Sequence, residues 1–270
     1  MKNIIIPVDF SQKSEFALKA GAFLAKKHNA TLHVVHTLEL SESIFFNSEN
    51  KEKVQFMIAY ANQQFEPFLK KEYLKNVKVI PVIKHHKVYK EVANIAKEIK
   101  ADLIIMGSHG VTSKKGIFAG TNTERMIHNS KTPVLIINKD PKDFHLKKVI
   151  IATDLSPESR ALYLKKIALF SNLGSIICPV YINLPYVNFI SSREFRNKVS
   201  VFAAAGNSVK VAFIAGHTLE DGLIQYAEDI NADLIAVSSS SQKGLMHFFN
   251  SSISEDLSIF AKIPIMTFTL

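Results

Sequence analysis

The sequence contains one pattern twice. Residues 101–104 (Ala-Asp-Leu-Ile) recur as residues 232–235, and the opening segment at residues 5–11 resembles residues 150–156. The first match is offset by 131 positions and the second by 145, so the second copy is 14 residues shorter between its start and its middle. A repeat on this scale predicts a tandem duplication of one fold.

The size of the repeat sets the domain organisation. Units of about 135 residues have the usual size of a domain, and each is long enough to bury its own core. The run Lys-Asp-Pro-Lys-Asp at residues 139–143 interrupts the apolar pattern between the copies. We therefore predict two domains, residues 1–140 and residues 146–270.

Within the first copy, short apolar runs alternate with segments of helical periodicity. This alternation predicts an α/β fold, with one doubly wound five-stranded parallel sheet in each copy. In the second copy, Ser156-Pro157 predicts the start of the first helix, and a shorter middle helix at 191–205 explains the missing residues. The strands predicted for the first copy are 2–8, 31–36, 77–83, 103–106 and 134–138, and the helices are 12–29, 51–74, 88–100 and 120–129.

Glycines follow the fourth apolar run of the first copy. Gly107-Ser108-His109-Gly110 is followed, after nine residues, by Gly120-Thr121 at the start of a predicted helix. Glycine lets a ligand approach the backbone closely, and helix N-termini present N–H groups that suit phosphate. Asp9, Thr37 and Gly107 all fall at carboxyl ends of predicted strands, where doubly wound sheets bind ligands. These positions predict a nucleotide site.

The second copy lacks these glycines. We predict that it has lost the site, because a side chain now stands where backbone would approach phosphate. The alternative is that serine hydroxyl and N–H groups still bind an anion. The residues aligned with Gly107, Gly110 and Gly120 are Ser238, Ser241 and Ser251.

The charge of the chain is unevenly distributed. Residues 1–140 carry 21 Lys and Arg against 13 Asp and Glu, whereas residues 141–270 carry 12 against 11. The positive excess therefore lies on the copy with the glycine motif and favours an anionic ligand there. Trp is absent and no recognised nucleic-acid motif occurs, so we expect no nucleic-acid partner.

Cysteine content and hydropathy indicate the compartment. The single cysteine, Cys178, excludes an intrachain disulfide and a cysteine metal cluster. No apolar run approaches the roughly 20 residues of a membrane span, and the N-terminus reads as a strand rather than a signal peptide. We expect a cytoplasmic protein with no membrane partner.

The glycine spacing distinguishes between nucleotide-binding families. A P-loop and a Gly-x-Gly-x-x-Gly motif after the first strand are both absent. The opening Pro-Val-Asp-Phe-Ser, the block Ala-Asp-Leu-Ile-Ile-Met-Gly-Ser-His-Gly and the closing Thr-Pro-Val-Leu-Ile-Ile resemble universal stress proteins of the ATP-binding class. The resemblance covers both copies, and it implies an adenine nucleotide alpha hydrolase-like fold in tandem.

The resemblance implies a set of site residues and a ligand. Thr37 follows the strand-two histidine, His36, at a position where the family usually has apolar residues, and Asn122 stands where valine is frequent. The implied ligand is ATP, with Mg²⁺ as a candidate companion and with ADP and AMP as alternatives. The implied contacts are Pro7, Val8 and Asp9 at the adenosine, Thr37 in the adenine pocket, Met106, Gly107, His109 and Gly110 at the ribose and phosphates, and Gly120, Thr121, Asn122 and Thr123 at the phosphates.

Some residues have more than one interpretation. Asp9 is a candidate Mg²⁺ ligand, nucleoside contact or helix cap, and its counterpart Asp154 in the copy without glycines argues against a role confined to phosphate or metal. His85-His86 precede a helix beside Lys84 and Lys87, and a metal site there would need further ligands. We interpret that segment as an exposed basic loop.

The predicted function is ATP-binding regulation in a stress response. No catalytic triad or carboxylate pair is apparent in the spacing, so we expect no dedicated enzyme and at most weak ATP hydrolysis. The alternatives are a nucleotide-dependent enzyme that adenylates or hydrolyses a substrate, and a protein-interaction module in which the nucleotide is structural. The protein partner is not specified by the sequence. Family domains often pair through their last strands, which predicts pairing of the two domains within one chain, with a homodimer as a further option.

Overall fold

The computed structural model describes residues 1–45, 47–108, 121–142, 144–186, 189–203, 210–238 and 263–269. The chain divides into two compact units, Met1–Phe144 and His145–Leu270. We call them unit 1 and unit 2, and each is described by itself.

Unit 1 is a parallel sheet of five strands in the order β3-β2-β1-β4-β5. This architecture confirms the predicted α/β fold. Two short 3₁₀ turns, Ser48–Asn50 and Glu72–Leu74, flank the third helix. The strands are β1 Asn3–Pro7, β2 Thr31–Thr37, β3 Lys78–Lys84, β4 Leu103–Gly107 and β5 Val134–Ile137, and the helices are α1 Gln12–His28, α2 Glu42–Phe45, α3 Lys51–Leu69, α4 Val88–Glu98 and α5 Thr121–Asn129.

The core of unit 1 includes the strands β4 and β5. β4 and β5 are apolar runs without polar alternation, and residues 103–106 and 134–137 are buried throughout, as expected for strands covered on both faces. α1 packs closely on the sheet at Gly21, where an added Cβ would lie 2.4 Å from Ile6 Cδ1. The helical spacing of the apolar residues predicts Phe23 on one face with Ala20 and Leu24, but Phe23 is 36% exposed.

Unit 2 repeats the strand order, as β8-β7-β6-β9-β10. Its middle helix has 12 residues, whereas α3 in unit 1 has 19, which accounts for much of the shorter second copy. The strands are β6 Lys148–Ala152, β7 Ile176–Asn183, β8 Ala212–Ala215, β9 Leu234–Ser238 and β10 Ile265–Phe268, and the helices are α6 Arg160–Asn172, α7 Ser192–Ala203 and α8 Leu219–Asp229.

Two predicted helix boundaries are wrong. The helix predicted over 51–74 ends at Leu69, because Lys70 has a ψ of 64° and leaves the helical region. The helix predicted to start at Ser156-Pro157 begins at Arg160. Ser156 Oγ instead accepts the N–H of Ser159 in a preceding turn. None of the helices in the described part of the chain is both long enough and apolar enough to cross a bilayer.

Candidate functional site

The strand order of unit 1 reverses between β1 and β4. From β1 the chain continues outward to β2 and β3, and it then crosses back to place β4 on the other side of β1. Ligands of doubly wound sheets bind at such a switch point, outside the carboxyl ends of the strands. Pro7 ends β1 at this point and residues 8–9 follow it, while Gly107 ends β4 and Ser108 follows it. Thr37, which is buried, ends β2, about 10 Å from β4 at the usual strand spacing.

Asp9 shapes the turn after β1. Its Oδ1 accepts the N–H of Ser11 at 3.1 Å, and Phe10 between them has a φ of 61°. Ser11 is the residue that caps α1, because its Oγ accepts the N–H of Ser14 at 3.2 Å. Of the roles considered for Asp9, the geometry therefore gives it a structural one, in the turn rather than as the helix cap.

His36 joins the end of β2 to this turn. Its Nδ1 lies 2.9 Å from the carbonyl oxygen of Val8, and a carbonyl oxygen only accepts, so Nδ1 carries the proton and donates. The imidazole also packs against the Phe10 ring at 4.6 Å, and Phe65 and Phe68 meet Phe10 edge-on. This aromatic cluster, formed by Phe10, His36, Phe65 and Phe68, holds the turn next to residues 7–9 in place.

Val8 has both of its backbone polar groups engaged. Its N–H donates to Val35 at 2.8 Å and its carbonyl accepts from His36. A ligand beside Val8 would therefore meet mainly its side chain.

Gly107 lies against the first turn of α1. A Cβ at this position would be 2.7 Å from the carbonyl carbon and oxygen of Lys13. The missing side chain therefore makes room for α1, whereas the sequence suggested that it makes room for a ligand. The absence of a Cβ at Gly107 thus allows the first turn of α1 to pack directly against the end of β4.

Two side chains hold the first turn of α5 at the carboxyl edge. Thr123, which is 3% exposed, donates from Oγ1 to the Gly107 carbonyl at 3.1 Å. Asn122 donates from Nδ2 to Glu39 Oε1 at 3.2 Å. The first N–H groups of a helix have no acceptors within the helix, and the dipole makes this end positive. The structure thus brings Asn122 and Thr123 together with Gly107.

Several predicted site residues lie outside the described residues. These are His109, Gly110 and Gly120, and nothing is described of the Thr121 side chain. Pro7, Val8, Asp9, Thr37, Met106 and Gly107 are all described, and they occupy the carboxyl ends of three adjacent strands.

Lys13 is a cation at this edge that sequence reasoning missed. Its Nζ donates to the carbonyl oxygen of Asn138, which follows β5, and its backbone contacts Gly107. The signal was its place in the first turn of the helix predicted after β1. A helix that follows a strand begins at the carboxyl edge of the sheet, so its first turn belongs to the ligand edge.

The equivalent edge of unit 2 holds a network of side chains around Asp154. Its carboxylate accepts the N–H and hydroxyl of Ser156, at 3.0 and 3.1 Å, and the hydroxyl of Ser159 at 2.6 Å. Burial acts to raise the pKa of Asp154, but the hydrogen bonds from these serines outweigh it and lower that pKa. Asp154 therefore serves a turn of the same kind as Asp9.

A buried lysine replaces the close helix contact in unit 2. Lys166, at 1% exposed, extends its Nζ to Ser238 Oγ at 2.7 Å and lies 5.6 Å from the centre of the Phe268 ring. Burial lowers the pKa of Lys166 to about 7, and attraction to Asp154 opposes that shift. In the repeat alignment, Lys166 corresponds to Gly21 and Ser238 to Gly107.

A shallow groove lies at the opposite edge of unit 1. Lys26, near the end of α1, and Asn76, just before β3, line it together with Tyr73. The strands begin at this edge, so the groove lies away from the switch point, and we assign it no ligand.

Comparison with known proteins identifies the family. The model of the universal stress protein family matches residues 1–138. The chain is 34% identical over 155 residues to universal stress protein MJ0577 of Methanocaldococcus jannaschii, covering 51% of this chain and 95% of that protein. Universal stress protein Slr1230 of Synechocystis is 25% identical over 305 residues and covers 99% of this chain and 100% of its own length, consistent with a tandem protein.

A solved structure supports the same fold. A universal stress protein from Archaeoglobus fulgidus aligns with a TM-score of 0.62 and 21% identity, over 99% of this chain and 96% of its own. With the family model matching half of the sequence and the switch-point architecture present in the structure, the chain belongs to the universal stress protein family.

Proposed function

We propose that unit 1 binds one adenine nucleotide, ATP with Mg²⁺, at its switch point, and that this binding regulates a stress response in the cytoplasm. The observation that carries the proposal is the hydrogen bond from Thr123 to the carbonyl of Gly107. It holds a helix N-terminus above the end of β4, next to the turn that follows β1.

The phosphate end of the ligand is assigned to α5 and Lys13. First-turn N–H groups and the positive end of the helix dipole favour an anion. The Lys13 amine at the same edge adds a full charge, and residues 1–140 carry an excess of eight basic residues. We expect the phosphates to bind chiefly to backbone N–H groups, so Asn122 suits the site although valine is usual there.

The adenosine end is assigned to the β1 and β2 side. Val8 and Thr37 are both buried, and the aromatic cluster packs on Phe10 in the turn that follows Val8. Because the backbone groups of Val8 are engaged, its contact with the base is through its side chain. The Thr37 hydroxyl supplies a polar group in a pocket that is usually apolar.

The proposed role is regulatory rather than catalytic. Enzymes commonly turn over at about 1–10³ s⁻¹, and we expect ATP hydrolysis by this chain to fall well below that range. Release of inorganic phosphate, measured under saturating MgATP, tests this directly. A rate within the enzyme range would establish the alternative, a nucleotide-dependent enzyme.

The binding proposal is tested with a matched pair of substitutions. Gly120→Val changes the motif of the first copy, and Ser251→Val changes the aligned position of the second. Titration calorimetry with MgATP is expected to show binding lost in Gly120→Val and unchanged in Ser251→Val. Equal loss in both variants, or no binding by the wild type, would contradict a nucleotide site in unit 1.

A further inference from the structure

Two adjacent histidines and a glutamate converge at the carboxyl end of β3. His85 and His86 directly follow this strand, and Glu91 lies in the first turn of α4. One potential ligand atom from each of the three side chains lies within 4.8 Å of the other two. The sequence had offered only the two histidines, and the helix supplies the third group.

Glu91 is held in place by the chain it faces. Its side chain is buried, with the residue 7% exposed, and Oε1 accepts the backbone N–H of His86 at 3.3 Å. A buried carboxylate is costly unless hydrogen bonds or a cation compensate it. The same hydrogen bond ties the histidine segment to the first turn of α4 and so keeps the three groups near one another.

The two imidazoles are also positioned by packing. The His85 ring stacks on Phe45 with centroids 4.0 Å apart and an interplanar angle of 13°. Its carbonyl accepts the N–H of Leu40 at 2.6 Å, and the His85 and His86 rings lie 4.3 Å apart. Both rings are half-buried, so the interpretation of this segment as an exposed loop is wrong. The contacts with Phe45 and Leu40 cover part of it.

The donor set distinguishes between cations. Ca²⁺ and Mg²⁺ are held by several oxygen ligands, and this cluster offers one carboxylate. Two imidazoles with one carboxylate suit zinc and related transition metals, often with a fourth position left to water. A tetrahedral site with bonds of about 2.0–2.1 Å separates its ligand atoms by about 3.4 Å. The ligand atoms lie at most 4.8 Å apart, so they need to approach one another by at most about 1.4 Å to reach that separation.

We propose that His85, His86 and Glu91 form a binding site for a divalent transition-metal ion of the zinc class, with one coordination position open to water or an external ligand. This site is separate from the nucleotide proposal, since it uses the end of β3 and the start of α4. The lysines on either side, Lys84 and Lys87, add positive charge that opposes binding of any divalent cation, so the preference for this class of ion rests on the imidazole and carboxylate donors.

The test uses the full chain, free of nucleotide, with Zn²⁺ and Co²⁺ as probes. Zn²⁺ affinity is measured by competition with a chromophoric chelator, and Co²⁺ reports its ligand geometry through its visible absorption. We expect one equivalent of either ion to bind and Co²⁺ to show the intense bands of a four-coordinate site. His86→Ala and Glu91→Gln are each expected to weaken Zn²⁺ binding at least about tenfold, the lower end of the range for outer-shell partners of metal ligands.

The control is His217→Ala, which removes an exposed histidine of unit 2. Circular dichroism and thermal unfolding without metal identify any variant that fails to fold. His86→Ala lies on a half-buried loop and keeps the test valid if the buried Glu91→Gln does not fold. Unchanged Zn²⁺ affinity in folded His86→Ala, an equal loss in His217→Ala, or a six-coordinate Co²⁺ spectrum would overturn the proposal.

Discussion

The two units build the turn after their first strand alike. Phe10 and Leu155 both adopt positive φ, at 61° and 56°. Asp9 and Asp154 each accept the N–H of the serine two residues later. Because unit 2 keeps this aspartate without the glycines, the aspartate is retained for the turn, and its presence alone does not mark a ligand site.

The units differ where the first helix crosses the fourth strand. In unit 1, Gly21 and Gly107 let α1 approach the sheet closely. In unit 2 the aligned residues are Lys166 and Ser238, which bond to each other. The first helix of unit 2 also begins three residues later in the repeat alignment, at Arg160. The two units thus pack the first helix on this edge in two different ways. The close packing at the glycines occurs in unit 1, which carries the candidate nucleotide site.

The largest expected effect comes from moving the lysine into unit 1. The side chain of a Gly21→Lys variant would overlap Ile6 and bury its amine. In unit 2 the aligned lysine donates to Ser238, whereas unit 1 has Gly107 at that position and offers no hydroxyl there. An unpaired buried charge typically destabilises by about 3–5 kcal/mol, so we expect a loss of that size in urea unfolding. Phe23→Lys, on the exposed side of the same helix, is the matched control and is expected to change stability little. Equal effects in the two variants would show that the close packing at Gly21 is not what distinguishes the units.

Removing the buried lysine from unit 2 is expected to stabilise the protein. The pKa of Lys166 falls from 10.5 to about 7 on folding. Between these values the unfolded chain holds a proton that the folded chain has lost, so stability rises with pH, by at most about 1.4 kcal/mol per unit. Lys166→Met should remove that slope and raise the free energy of unfolding at pH 7 by about 1–4 kcal/mol.

The control for this prediction is the exposed neighbour, Lys165→Met. Denaturant unfolding from pH 6 to 10 compares the two variants with the wild type. If Lys166→Met retained the wild-type slope, or if Lys165→Met removed it, the buried amine would not be the titrating group.

A smaller effect is expected at the contact between α5 and β4. Thr123→Val removes the buried hydroxyl that donates to the Gly107 carbonyl, and breaking a buried hydrogen bond on one side costs about 1–3 kcal/mol. We expect lower stability and weaker MgATP binding together, since the helix N-terminus loses its anchor. Thr123→Ser keeps the hydroxyl and is expected to retain MgATP affinity. If Thr123→Val bound MgATP with wild-type affinity, α5 would not be part of the nucleotide site.

The smallest expected effects distinguish the structural role of the two aspartates in their turns from a role in nucleotide binding. Asp9→Ala and Asp154→Ala each remove a hydrogen-bond acceptor in the equivalent turn, at about 0.5–1.5 kcal/mol per bond. Because Asp154 also accepts the hydroxyl groups of Ser156 and Ser159, thermal unfolding should shift more in Asp154→Ala than in Asp9→Ala. Calorimetry with MgATP distinguishes the two variants, because only Asp9→Ala is expected to weaken nucleotide binding. A larger binding loss in Asp154→Ala would place the nucleotide in unit 2.

Local pattern predicted most of the framework. Strand and helix periodicity located the five strands and the four longer helices of unit 1, because buried parallel strands are apolar runs such as residues 103–106. The short helix α2 was not predicted. The Ser156-Pro157 start signal failed, since the chain forms a turn there before α6. The clash that makes Gly107 necessary comes from Lys13, which lies far away in sequence.

Side-chain pairs between distant elements could not be predicted. Lys166 and Ser238 are 72 positions apart, and no local pattern joins them. The repeat nevertheless aligns Gly21 with Lys166 in the sequence. A lysine in place of a core glycine indicates that the two copies pack differently at this position. Glu91 was similarly hidden, because a polar residue in the first turn of a helix ordinarily reads as exposed.

The central claim is that the carboxyl edge of unit 1 binds nucleotide and that of unit 2 does not. The most direct measurement is the stoichiometry of MgATP binding to the wild-type chain, from calorimetry at a protein concentration well above the dissociation constant. One nucleotide per chain is the predicted result. Two nucleotides per chain would mean that the edge built from Lys166 and Ser238 also binds, and the asymmetry between the units would be contradicted.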